Sequence, residues 1–223
     1  LEAILDPRQH AIAVVVAPCR LAHAHGDDAE PRLVLGDEPP PVARRVAGRK
    51  APDNVYVHGF ITVSGEKMSK SKGNVINPME SISEYGSDAL RMGIVASRSA
   101  GQNQAFSIAK VVAGRNFANK LWNISRFILD KLGEGYKPAP PEPRSVADHW
   151  IIRQLNTAAA TIDDQLASYR IAEASETVYH TLWDDVADWY LEASKLETNP
   201  GLLGWVLETC LSLAHPFAPF VTE

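Results

Sequence analysis

The sequence predicts a short α/β portion followed by an all-helical bundle, with helix predominating. Three observations carry this. A β-branched and aromatic run, Val55–Val63, leads into a lysine-rich loop and then into helix-start signals. From Ser107 onward, apolar residues recur at helical spacing. The prolines of that part fall only between or at the ends of the helical stretches.

Residues 1–47 are rich in Ala, Pro, Arg, His and Asp, and Pro39-Pro40-Pro41 breaks any helix there. Ala11–Val16 and Leu33–Leu35 look strand-like but have no partner signal, so a disordered or poorly packed segment is expected. His23 and His25 with Asp27 and Asp28 do not complete a metal-ligand set. From about Gly48 the character changes. Val55–Val63 reads as a buried strand turning at Ser64-Gly65, and the loop Lys67–Asn74 follows. Asn77 then offers a helix N-cap with Pro78 at the first helical position. That helix runs to Tyr85, with Gly86 as its left-handed stop. Ser87 caps the next helix, placing Asp88 in a first turn whose dipole favours an anion.

Ile108–Leu132 reads as one long helix with a stripe of Val111, Val112, Phe117, Leu121, Ile124, Ile128 and Leu129. The proline-rich segment Gly133–Arg144 is expected to be an exposed, stiff connection. Helices over Val146–Ser168, Ile171–Lys195 and Gly201–Ala214 complete a bundle. The five tryptophans fall at apolar helical positions, where core packing outweighs base stacking.

Composition narrows the function classes. With 45% hydrophobic and 22% charged residues the chain is ordinary for a globular protein. A net charge of −5 excludes a uniformly basic nucleic-acid coat, so any RNA contact must come from a local patch. Cys19 and Cys210 match no metal-ligand spacing and fit reduced thiols in a cytoplasmic protein. No apolar run reaches the ~18 residues of a membrane span. The chain stops abruptly after Pro219-Phe220-Val221-Thr222-Glu223 and reads as a piece of something longer.

The chemistry is concentrated in Lys67-Met68-Ser69-Lys70-Ser71-Lys72-Gly73-Asn74. Lysine is a compact charge on a flexible stem, suited to a polyphosphate. Serine hydroxyls and free backbone N–H groups add neutral donors. From charge alone a solvated basic turn is the blander reading. The wording of the run is more specific: it resembles the KMSKS loop of the class I aminoacyl-tRNA synthetases. From Asn54 to Glu223 the sequence is similar to the valine-specific members of that family. The resemblance is carried by Val55–Phe60 with the loop, by Asn77-Pro78 through Glu84–Arg91, by Gly114–Asn123, and by Trp183–Glu192 with His215-Pro216-Phe217. The first two are shared with the leucine, isoleucine and methionine enzymes. The last two favour valine.

That resemblance implies a Rossmann-like catalytic domain, of which residues 48–106 are the C-terminal end, and an anticodon-binding helical bundle over 107–223. It implies ATP with its accompanying Mg²⁺, valine and a tRNA as ligands, a monomer, and no protein-bound metal. Lys70 is then the main phosphate contact and Lys67 the second. His58, Gly59, Met68, Ser69 and Ser71 join them at the nucleotide, with the serines shaping the loop by hydroxyl–backbone bonds. His58 is read equally as a core histidine, and Gly59 as a place where a ligand approaches the backbone. In the bundle, Arg115 and Lys120 are candidates for tRNA phosphates, and Asn116, Asn119 and Asn123 for bases or sugars. Bonds from these side chains to neighbouring helices are the competing reading. The family's His-x-Gly-His type motif, amino-acid pocket and editing domain have no counterpart here, so the chain alone is expected to be inactive. Its alternatives are the same part of an isoleucine, leucine or methionine ligase, or a tRNA-binding helical module without catalysis.

Overall fold

The computed structural model describes residues 59–63, 65–96, 102–138 and 140–223. Cα packing separates Leu1–His58 from Gly59–Glu223, and every described residue belongs to the second unit. The expectations for residues 1–47, for His58 and for the start of the Val55–Val63 strand lie outside the described residues.

A small sheet comes first. Strand β1, Ile61–Val63, lies between β2, Glu66–Lys67, which runs antiparallel to it, and β3, Gln104–Ala105, which runs parallel. Gly65 turns the chain between β1 and β2 with φ 83°. Gly59 is required by packing. A Cβ there would lie 1.8 Å from the carbonyl oxygen of Gln102, so the backbone that approaches it is the chain's own.

Helix α1, Pro78–Tyr85, starts as its sequence predicts: the Asn77 side chain accepts from the Met79 N–H and Pro78 sits in the first turn. Gly86 differs from expectation. Its φ of 93° lies on the positive side that favours glycine, but its ψ of 159° takes it out of the left-handed helical well, and it serves both as C-cap of α1 and N-cap of α2, Ser87–Val95. Ser87 therefore lies inside α2 and makes no capping bond. The buried Asp88 carboxylate accepts the backbone N–H groups of Phe220 (3.2 Å) and Val221 (2.7 Å), at the start of the short helix α8, Pro219–Thr222. Arg91 on the same helix donates to the carbonyls of Pro216 and Phe217 at 3.0 and 3.2 Å. Four bonds thus tie α2 to the far end of the chain.

Helices α3 (Ile108–Leu132), α4 (Val146–Ala167), α5 (Ile171–His180), α6 (Leu191–Ser194) and α7 (Pro200–Ala214) form the bundle. Between α5 and α6 the chain widens into a π-helix over Thr181–Tyr190, where the Leu191 N–H reaches the carbonyl of Val186. Phe117, Leu121, Ile128, Ile151, Leu155, Leu182, Tyr190, Leu202 and Leu203 are all under 2% exposed and belong to one continuous core. The α3 stripe is as predicted except at Leu129, which is largely exposed. Helix α2 lies close along α3 because Gly114 has no side chain: a Cβ there would sit 2.7 Å from the Ala89 carbonyl oxygen.

Two expectations fail for stated reasons. Trp150, Trp183 and Trp205 pack against the core, but Trp122 and Trp189 are 57% and 71% exposed. Each adjoins a residue that takes the inward position, Leu121 and Tyr190 respectively, and one helical step carries its ring round to solvent. The connection after α3 is also more than a stiff spacer. Tyr136 covers Gly204, whose added Cβ would lie 2.1 Å from the Tyr136 hydroxyl, and the Glu142 carbonyl accepts from Asn199 Nδ2 at 2.9 Å. The Arg144 N–H donates to Asp148 at 2.9 Å, fastening the strap to α4.

Candidate functional site at the lysine loop

The loop is assembled by short-range bonds that the sequence dictates closely. Lys70–Lys72 form one 3₁₀ turn, closed by Lys72 N–H to the Ser69 carbonyl (3.1 Å) and Gly73 N–H to the Lys70 carbonyl (3.2 Å). Gly73 ends the turn in the left-handed region at φ 66°, ψ 12°, which a Cβ would disfavour. Asn74 is the residue that sequence reasoning undervalued. Its Oδ1 accepts the Ser69 N–H at 2.8 Å and its Nδ2 donates to the Lys67 carbonyl at 3.2 Å. Asparagine is suited to this because it is both donor and acceptor at one tip. The Ser69 and Ser71 hydroxyls, expected on the backbone, instead bond to each other at 2.8 Å. Met68 is half-buried, and its N–H points to the Ile61 carbonyl at 3.5 Å.

The three ammonium groups meet three fates. Lys72 pairs with Glu66 at 2.9 Å, both side chains being more than half exposed. Lys67 lies 3.8 Å from the centroid of the Phe60 ring. Lys70 is exposed and has no partner among the described residues. An unpaired ammonium on a turn whose backbone is otherwise stapled is a charge available to an incoming anion. Gly59 precedes Phe60 in the chain and packs against the Gln102 backbone. Phe60 itself is held by its N–H to Asn103 Oδ1 and by its carbonyl, which accepts from the Gln104 N–H, both at 2.9 Å.

A second group of residues lies on α3. Asn116, Asn119 and Asn123 are exposed at spacings of three and four, so they share one face. None of these amides bonds to another group among the described residues. Arg115 is exposed, with its guanidinium 5.7 Å from the centroid of the Tyr85 ring on α1. Lys120 is engaged internally: it bonds Asp188 of the π-helix at 2.8 Å and lies 4.8 Å from the Trp183 ring centroid. Trp183 in turn stacks on Tyr179 at 5.4 Å, and Tyr179 on Phe117 at 5.5 Å. The structure thus separates the five candidates into an open amide face with Arg115 beside it and one lysine that braces α3 against the π-helix.

Elsewhere the ionisable groups serve packing. Burial opposes charge on Asp148, but Asn199, the Arg144 N–H and the Tyr190 hydroxyl all donate to it and hold its carboxyl below the usual range. Burial, with the Asp148 carboxylate beside it, raises the Tyr190 hydroxyl well above its ordinary value. Burial alone pushes the Cys210 thiol up to about 12, so it stays protonated. No cluster of three His, Cys, Asp or Glu side chains that could hold a metal exists among the described residues. None of the described helices is long and apolar enough to cross a membrane.

Comparison with known proteins bears on both places. Residues 40–127 match the model of class I tRNA synthetases (M), and residues 148–223 match the anticodon-binding domain of tRNA ligase. The chain is 40% identical over 189 residues to the valine--tRNA ligase of Geobacillus kaustophilus, covering 79% of this chain and 22% of that protein. It therefore spans about a fifth of the length of the curated relatives it matches. Two solved structures share the fold. One is the Agrobacterium radiobacter K84 LeuRS of a ternary complex with tRNA and LeuAMS, at TM-score 0.67 and 22% identity over 78% of this chain and 22% of that one. The other is the Mycobacterium tuberculosis methionyl-tRNA synthetase in complex with methionyl-adenylate, at TM-score 0.61 and 21% identity over 78% and 38% of the two chains.

Proposed function

Because the chain belongs to the class I tRNA synthetases, we propose that it supplies the pyrophosphate-handling loop and the anticodon-side tRNA surface of a valine–tRNA ligase. In the activation step a carboxylate oxygen of valine attacks the α-phosphorus of ATP. The bond to the β-phosphate oxygen breaks in line, and pyrophosphate leaves carrying the charge. Little covalent work falls to the protein, so positioning and charge stabilisation dominate. Lys70 meets the departing diphosphate as the principal cation and Lys67 as the second. Met68, Ser69 and Ser71 form the floor of the loop, and His58 and Gly59 are further candidates for contact with the nucleotide. Mg²⁺ arrives with ATP rather than in a protein cage. On the bundle, Arg115, Asn116, Asn119 and Asn123 form the side that faces tRNA, with Lys120 bracing their helix through Asp188, in a cytoplasmic, monomeric enzyme.

The observation that carries this reading is the exposed Lys70 ammonium, without a partner among the described residues, on a loop whose backbone is fixed by Asn74. Titrating the purified chain with inorganic pyrophosphate tests it: binding should be saturable and should weaken about tenfold in Lys70→Ala, the loss of one charge-assisted contact. Equal affinity of the two proteins refutes the loop assignment. Filter binding of tRNA transcripts at two salt concentrations tests the other half. A preference for valine tRNA that persists at the higher salt supports the reading, and equal binding of all transcripts counts against it. The (M) label of the model matched by residues 40–127 favours a methionine enzyme for that segment. The 40% identity to a valine--tRNA ligase extends over 189 residues and outweighs it. By the same reading the chain alone does not charge tRNA, and valine-dependent pyrophosphate exchange by the isolated chain would overturn that.

A further inference from the structure

We infer that Phe60 is a positioning residue of the lysine loop, acting through Lys67: its ring holds the ammonium preorganised for a diphosphate. The inference rests on the reading of the loop given above. Three features of the geometry support it. The Lys67 ammonium lies 3.8 Å from the Phe60 ring centroid, well inside the range of a cation–π contact. The ring is 52% exposed, so it is not there to fill the core. Its backbone is pinned on both sides, by Asn103 Oδ1 to its N–H and by the Gln104 N–H to its carbonyl, so the ring is a fixed platform.

Lys67 needs such a platform more than its neighbours do. Its carbonyl is anchored by Asn74, but its four-carbon stem would otherwise sample many rotamers in solvent. An ammonium has three N–H donors, and a ring on one side leaves the others to face an anion. The neighbouring Glu66 carboxylate is paired with Lys72 at 2.9 Å. Phe60 thus lowers the entropic cost of bringing a second cation to the diphosphate and does not itself touch it.

The test is a double-mutant cycle on the 223-residue chain, with inorganic pyrophosphate as the probe in isothermal titration calorimetry. Phe60→Leu should weaken binding about two- to fivefold, the worth of an exposed cation–π contact, and Phe60→Tyr should restore it. In a Lys67→Met background Phe60→Leu should change nothing. A silent Phe60→Leu, or an equal loss in both backgrounds, overturns the inference. Proton NMR supplies a readout that a structural role would not move. The Lys67 ε-methylene should show an upfield ring-current shift that persists when pyrophosphate is added and vanishes in Phe60→Leu. Loss of that shift on adding pyrophosphate to the unsubstituted chain would make the ring a resting place that the lysine leaves, and would also overturn it. If Lys67→Met and Lys70→Ala weaken binding while Phe60→Leu does not, only this inference falls. If neither lysine matters, the loop reading falls with it.

Discussion

In the bundle, Asp148 is 3% exposed and its carboxylate is shared among Arg144, Tyr190 and Asn199, whereas in the loop the exposed Lys70 ammonium has no partner among the described residues. The same contrast runs through each region. Every buried side-chain nitrogen or oxygen among the described residues is hydrogen-bonded, and nearly all of these lie in the helices. The sheet that carries the loop has strands of two or three residues and none of its residues is fully buried. A buried charge must be satisfied by the fold at once, while a charge meant for a ligand must be left unsatisfied until the ligand comes. Substitutions in the two regions should therefore fail in different assays: unfolding for the bundle, anion binding for the loop.

The largest effect is expected at Asp148. Asp148→Ala leaves the Asn199 amide, the Arg144 N–H and the Tyr190 hydroxyl without their shared acceptor and should lower unfolding free energy by about 3–5 kcal/mol in urea denaturation, each buried donor left unsatisfied costing about 1–3 kcal/mol. The pH dependence has a definite sign. A carboxyl held below its ordinary value adds stability that is present above the unfolded pKa of ~3.9 and is lost as pH falls through the lower folded value. The acid limb of the stability curve should flatten in Asp148→Asn. An unchanged acid limb would remove Asp148 from its place at the centre of the strap.

Lys70→Ala comes next, with the opposite signature. In a full-length ligase carrying this chain, ATP–pyrophosphate exchange should fall about 10²-fold, as for loss of one preorganised charge donor. Urea denaturation of the variant should be unchanged, since the exposed Lys70 side chain has no hydrogen-bond or ion-pair partner among the described residues. Destabilisation with intact exchange would reverse the comparison between the two regions.

What could be read from the sequence divides along the same line. The bundle helices were legible to within a few residues because periodicity and proline breaks are local signals, as was the Asn77-Pro78 start of α1, which forms its N-cap with proline in the first turn. The loop was legible from its wording alone. What was not legible depends on partners far along the chain. Asp88 looks like a helix-dipole residue until Phe220 and Val221 appear beside it, 132 and 133 positions away. Asn199, which the sequence leaves just outside the expected Gly201–Ala214 helix, caps α7 and also holds Glu142 and Asp148. Trp122 and Trp189 have the composition of core residues, and only the neighbouring Leu121 and Tyr190 decide that they face outward.

Gly114→Ala probes the seam between the two regions. The new methyl would lie 2.7 Å from the Ala89 carbonyl oxygen and 2.9 Å from Met92 Cβ, and backbone cannot yield as a side-chain tip can. A loss of about 1–3 kcal/mol is expected from overpacking, opposed by the ~1 kcal/mol that alanine gains over glycine in helix propensity. A stabilised variant would show that α2 and α3 have room to separate, and that the lysine loop is less firmly seated on the bundle than their packing indicates.

The smallest effect is expected at Trp189, and its value lies in the neighbour. Tyr190, one residue on, is 1% exposed and donates to Asp148, so Tyr190→Phe should cost about 1 kcal/mol through one lost hydrogen bond. Trp189 is 71% exposed, and its ring lies beside Trp150 with centroids 6.3 Å apart at a 48° tilt. Trp189→Ser should therefore shift unfolding by about 0.5 kcal/mol or less, within the range of ordinary surface changes. A larger ring losing less stability than one hydroxyl group is the outcome that separates position from composition. A loss of several kcal/mol at Trp189 would mean that the π-helix needs that ring for its own geometry, and the outward turn of the chain at this point would need another cause.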